Sequence, residues 1–130
     1  MTDAAQILIG QEIDCIYVDY VPFFASAVAA CSEDKIEASP VRLVGNENTG
    51  YYYEAFPATV NQALFAEEKK AHGALVLSES NLNETSSFYE LSINDGSLEQ
   101  IMNKLELIAM EENPYESLYL YRIKDASVIH

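Results

Sequence analysis

The chain alternates short apolar runs with polar breaks, and the period of each run sets the element it predicts. Residues 13–21 (Ile-Asp-Cys-Ile-Tyr-Val-Asp-Tyr-Val) are β-branched and aromatic, which predicts a largely buried strand. Pro22 suits the first turn of a helix carrying Phe23, Phe24, Ala27, Val28 and Cys31, which Ser32-Glu33-Asp34-Lys35 ends. Residues 41–44 and 50–56 predict a hairpin, with Gly45 to Gly50 as its loop. From Pro57 to His72 the pattern turns helical. Thr59 and Gln62 offer a capping box, Val60, Ala63, Leu64 and Ala71 share a face, and Gly73 stands where a C-cap belongs.

Residues 74–78 predict a short strand and 88–94 another, broken by Asp95-Gly96-Ser97. The fullest helical stripe runs from Ser97 to Glu112. Leu98, Ile101, Met102, Leu105, Ile108 and Ala109 fall inward, and Glu99, Gln100, Asn103, Glu106 and Glu111 fall outward. After Asn113-Pro114, residues 117–124 alternate, with Tyr119, Tyr121 and Ile123 on one face and Leu118, Leu120, Arg122 and Lys124 on the other. Strand 88–94, helix 97–112 and strand 117–124 then compose a βαβ unit. The whole predicts an α+β fold with a single mixed β-sheet and two to three helices packed mainly on one face; a ferredoxin-like core with additions fits. No repeat or linker divides the chain, so residues 1–130 read as a single globular domain. Its hydrophobic share of 49% is enough for a core.

Charge changes the picture most. Asp and Glu number 21 against 7 Lys and Arg, a formal net charge of −14. Residues 1–34 contain no Lys or Arg, and residues 79–116 set Glu79, Glu84, Glu90, Asp95, Glu99, Glu106, Glu111, Glu112 and Glu116 against Lys104 alone. Such a surface repels phosphates and anionic headgroups, which excludes direct nucleic-acid binding and membrane association. A globule of this length is about 36 Å across, and duplex DNA of that length carries roughly twenty charges, the same order as the net charge here.

Candidate chemistry adds little. His72 falls at a helix end where the dipole favours a cation, and His130 is the last residue, so neither is placed to activate a nucleophile. No metal motif occurs; Glu111, Glu112 and Glu116 around Asn113-Pro114 read as a solvated helix end. No glycine-rich phosphate turn occurs either. Val18 to Ser26 is loosely similar to the first catalytic segment of Y-family DNA polymerases, but the rest of the chain is too short and too acidic for one. Asp14 and Asp19 sit an odd number of residues apart, on opposite faces of a regular strand, and so form no dyad. The sequence therefore implies no catalytic residue, metal or cofactor.

Cys15 and Cys31 lie in apolar surroundings and read as small buried hydrophobes. An acidic start without a signal peptide, and no apolar run long enough to span a bilayer, place the expected location in the cytoplasm. The sequence sets no oligomeric state.

What remains is an acidic surface with nine tyrosines among its carboxylates. Tyrosine supplies rigid apolar area with a polar tip, so it anchors interfaces. The leading expectation is a protein-binding inhibitor, with Tyr51, Tyr53, Glu99, Glu106, Glu111, Glu112, Tyr115 and Glu116 as partner-binding residues. Its partner would be a basic protein: a nuclease toxin, as for an immunity protein or antitoxin, or a nucleic-acid-binding protein, as for a phage-type inhibitor or DNA mimic. The alternative is a small-molecule-binding regulatory domain in which Asp19 and Tyr17 line a pocket between sheet and helix.

Overall fold

The computed structural model describes residues 2–19, 33, 35–46, 50–55, 62–78, 97–112 and 117–129. Its strands are β1 (Cys15–Asp19), β2 (Glu37–Asn46), β3 (Gly50–Ala55), β4 (Gly73–Ser78), β5 (Leu105–Glu111) and β6 (Leu118–Ile123). They form one mixed sheet in the order β3-β2-β1-β4-β6-β5. β1 is parallel to both neighbours, β2 and β4. The β2–β3, β4–β6 and β6–β5 pairs are antiparallel. A single mixed sheet is the expected α+β architecture, but the order corrects the ferredoxin-like option. That core separates its parallel strands by an antiparallel one, whereas β2, β1 and β4 here are direct neighbours.

The sheet is buried on both faces, and the two-residue period of the strands sorts side chains between two apolar layers. Cys15, Tyr17, Leu75, Leu77, Tyr121 and Ile123 point into one layer. There they meet Leu64 from a 3-10 turn (Gln62–Phe65), Val128 from another (Ala126–Val128), and Ile101 from a helix at Ser97–Met102. Ile16, Val18, Ala74, Val76, Leu118 and Leu120 point into the other layer, which Leu8 of α1 (Thr2–Gly10) covers. β4 is buried at all six positions, as expected of a central strand covered on both sides. Each large side chain so buried contributes about 1.5–3 kcal/mol.

α1 has no counterpart in the sequence expectation. Only Ala5 and Leu8 of its described side chains are buried, a stripe too thin to announce a helix. Its end is well built. The Glu12 N–H donates to the Ile9 carbonyl and the Ile13 N–H to the Leu8 carbonyl, with Glu12 at φ 61°. These are the two bonds of a Schellman cap, and Ile13 and Leu8 supply its hydrophobic contact.

The stretch expected as one helix to His72 is divided instead. After the 3-10 turn, Ala66 is extended at φ −65° and ψ 144°, and α2 occupies only Glu67–Ala71. The Tyr17 hydroxyl donates to the Leu64 carbonyl, an acceptor that a continuous helix would give to Glu68. His72 is the C-cap of α2, and Gly73 already belongs to β4.

The largest correction concerns residues 97–112. The helix, α3, stops at Met102, and residues from Leu105 onward form β5. β5 and β6 make an antiparallel hairpin, so among the described residues no single helix leads from residue 97 to β6 as the expected crossover required. The helices expected at 22–31 and before residue 62, and the strand at 88–94, lie outside the described residues.

The C-terminal segment closes the molecule. Ile129 bridges to Tyr53 of β3, while the Lys70 ammonium donates to the Ile129 carbonyl at 2.7 Å.

Candidate protein-binding surface

All seven Lys and Arg residues fall within the described part of the chain, and several are already engaged. Arg42 of β2 reaches Glu54 of β3 at 2.7 Å, and Arg122 of β6 reaches Glu106 of β5 at 2.9 Å. Both are directly opposed cross-strand pairs. Lys69 lies 3.5 Å from Asp14. Exposed pairs of this kind add at most about 1 kcal/mol each, so their consequence is chiefly electrostatic bookkeeping. They neutralise bases that the chain can scarcely spare, and leave most carboxylates uncompensated.

β5 is the end strand of the sheet among the described residues, and it exposes large apolar side chains. Leu107 is 53% exposed and Met110 49%. Alternation would send residues three apart to opposite faces. A register shift between Leu107 and Ala109 prevents that: Leu107 opposes Tyr121, and Met110 opposes Tyr119. Both therefore lie on the face that Tyr119 and Tyr121 occupy. The extra residue, Ile108, packs with Ala109 against the opposite layer, beneath α1. The carboxylates of β5 take that opposite face too, since Glu106 opposes Arg122 and Glu111 opposes Leu118. The edge thus carries an apolar side and an acidic side, and Glu112 is exposed just beyond it.

The residues singled out from sequence scatter. Glu106, Glu111 and Glu112 come together on and beside β5, with Glu106 paired to Arg122 and Glu111 half-buried. Glu99 is exposed on α3. Tyr53 is fully buried in the core, which removes it from any surface. Tyr51 lies in β3, but its side chain is outside the described residues, as are Tyr115 and Glu116 altogether. Asp19 ends β1, and its side chain too is not among those described. Leu107, Met110 and Tyr119 were not anticipated, because a helix at 97–112 gives Leu107 no sheet neighbour.

Tyr17 is closed in rather than lining an open pocket. It is fully buried, its ring lies 5.5 Å from that of Phe65, and its hydroxyl is bonded to the Leu64 carbonyl. The Cys15 thiol lies 3.4 Å from both the Tyr17 hydroxyl and the Lys69 carbonyl. Burial pushes both groups up, so both stay protonated at neutral pH. A protonated, buried thiol is a poor nucleophile. Among the described residues no group of three or more His, Cys, Asp and Glu could hold a metal, and no helix is long and apolar enough to cross a membrane.

No protein-family model matches the chain, and neither the curated proteins nor the solved structures yield a match.

Proposed function

We propose that this chain is a small acidic inhibitor that acts in the cytoplasm by binding a basic protein. The partner is a nuclease toxin, for which the chain would serve as immunity protein or antitoxin, or a protein whose nucleic-acid-binding groove it occupies. The observation that supports this most is the charge asymmetry around β5. Glu106, Glu111 and Glu112 lie on and beside β5 and Glu99 is exposed on α3, while Arg122 of the neighbouring β6 pairs with Glu106, on a chain of net charge −14. Such a field accelerates encounter with a positive groove and excludes acidic competitors.

The test is capture of basic proteins on the immobilised chain at low salt, followed by an assay of nuclease activity in the captured fraction. The expected result is a basic protein whose activity the chain inhibits, and whose capture fails with the triple variant Glu106→Lys, Glu111→Lys, Glu112→Lys. Capture that survives the triple reversal would remove this face from the interface.

A second reading draws on the sheet order. β1 sits where the chain leaves in opposite directions, toward β2 on one side and β4 on the other. In parallel sheets, ligands bind outside the carboxyl ends of strands at such a switch point. Asp19 and Ser78 end β1 and β4 there, the arrangement a small-molecule-binding regulatory domain would use.

A further inference from the structure

We infer that the outer edge of β5 is a strand-addition site for an extended segment of the basic partner, one that alternates aliphatic and Lys or Arg residues. The inference rests on the proposed reading of the chain as a binder of basic proteins, and gives that binding its geometry.

Three observations carry it. First, β5 ends the sheet among the described residues, so the backbone groups on its outer side have no neighbouring strand there. Edge strands are usually guarded by lysine, proline or shortness. Leu105–Glu111 contains no Lys or Pro and is seven residues long; the guards it carries are its bulge and two carboxylates, which repel another acidic edge but attract a basic one. Second, Leu107 and Met110 are about half exposed on one face, beside the half-buried Tyr119. They offer the apolar side pockets that strand addition uses for specificity. Third, Glu106 and Glu111 lie on the other face. An added strand also alternates, so its aliphatic residues would meet Leu107 and Met110 while its cations met Glu106 and Glu111.

Charge complementarity selects this occupant over a second copy of the chain. Two molecules of net charge −14 repel, and an edge-to-edge pair would bring their β5 carboxylates together. A lysine-bearing strand does the reverse.

The test titrates a short peptide alternating lysine and valine, and a control of equal composition with its lysines and valines in separate blocks, at about 50 mM salt. Amide hydrogen exchange is followed throughout. The alternating peptide should bind and protect amides of Leu107 to Met110, and the block control should bind more weakly. The double variant Leu107→Glu, Met110→Glu discriminates further, because it adds negative charge while removing apolar contact. Strand addition predicts that it weakens binding about tenfold or more. Its substitutions are at exposed sites, and an unchanged thermal midpoint checks its fold.

Tighter binding to the double variant, or binding without β5 protection, would overturn strand addition while leaving the acidic-inhibitor reading standing. A concentration-dependent dimer abolished by the double variant would give the edge to a second copy and also overturn it. Failure of both peptides to bind overturns it too, and the inhibitor reading then stands or falls on the capture experiment alone.

Discussion

Leu107 and Met110, three residues apart in one strand, share a face of the sheet because the bulge at Ile108 resets the alternation between them. Their exposure has an energetic corollary. Leu107→Ala should change stability by less than about 0.5 kcal/mol, as surface substitutions do. Leu105→Ala, two residues earlier and buried, should cost about 2–5 kcal/mol. Urea midpoints of the two variants check this, and equal losses would place Leu107 in the core.

Gly73 is fixed by its neighbours rather than by its backbone. A Cβ there would come within 2.7 Å of Tyr17 Cε2, 3.2 Å of Cys15 Sγ and 3.3 Å of the Lys70 carbonyl oxygen. The ring is wedged against Phe65 and bonded to the Leu64 carbonyl, so it cannot retreat freely. Gly73→Ala should therefore destabilise by about 1–3 kcal/mol, the usual cost of overpacking. Gly10→Ala, where the added methyl meets open space in a helix, should stabilise by about 0.5–1 kcal/mol.

Glu12 holds a left-handed conformation at the cap of α1. A side chain there costs roughly 1–2 kcal/mol, which glycine avoids. Glu12→Gly should raise stability by about 1 kcal/mol while leaving both cap hydrogen bonds in place. A thermal midpoint that falls would show that the Glu12 side chain has stabilising contacts of its own.

Alkaline pH should unfold this protein through its core. Cys15 and Tyr17 are both raised above their ordinary values of 9.0 and 10.0 by burial, and in the folded state both favour the protonated form. Groups shifted upward contribute stability that is complete below the unfolded value and lost above it. Stability should hold steady through neutral pH and fall as pH rises beyond about 9, where the unfolded chain begins to lose these protons. Cys15→Ala should flatten part of that fall. Over the same range, native Cys15 should resist alkylation until the chain unfolds.

The sequence was most readable where one period ruled without competition. β1, the β2–β3 hairpin, β4 and the two-faced alternation of β6 all follow from period-two patterns and turn residues. Residues 105–109 misled because a bulged strand can imitate a helix. Leu105, Ile108 and Ala109 have the i, i+3, i+4 spacing of a helical stripe, yet here the bulge turns Ile108 and Ala109 together toward the layer under α1. What decides between them is β6, whose outer side needs a partner, and that is a tertiary fact. The site suffered accordingly. Its carboxylates were legible from charge alone, whereas Leu107, Met110 and Tyr119 required the hairpin. Tyr53 shows the converse: alternation in Tyr51-Tyr52-Tyr53 marks which rings share a face, but only the packed sheet decides which face is inside.

Capture of a basic partner by the acidic surface is tested most directly by titrating the isolated partner into the chain between about 50 and 500 mM salt, where screening of exposed charges becomes nearly complete. The expected outcome is affinity that falls steadily with salt, driven mainly by a slower association rate, and that drops further with Glu106, Glu111 and Glu112 reversed together. Affinity independent of salt and indifferent to that reversal would contradict the electrostatic account.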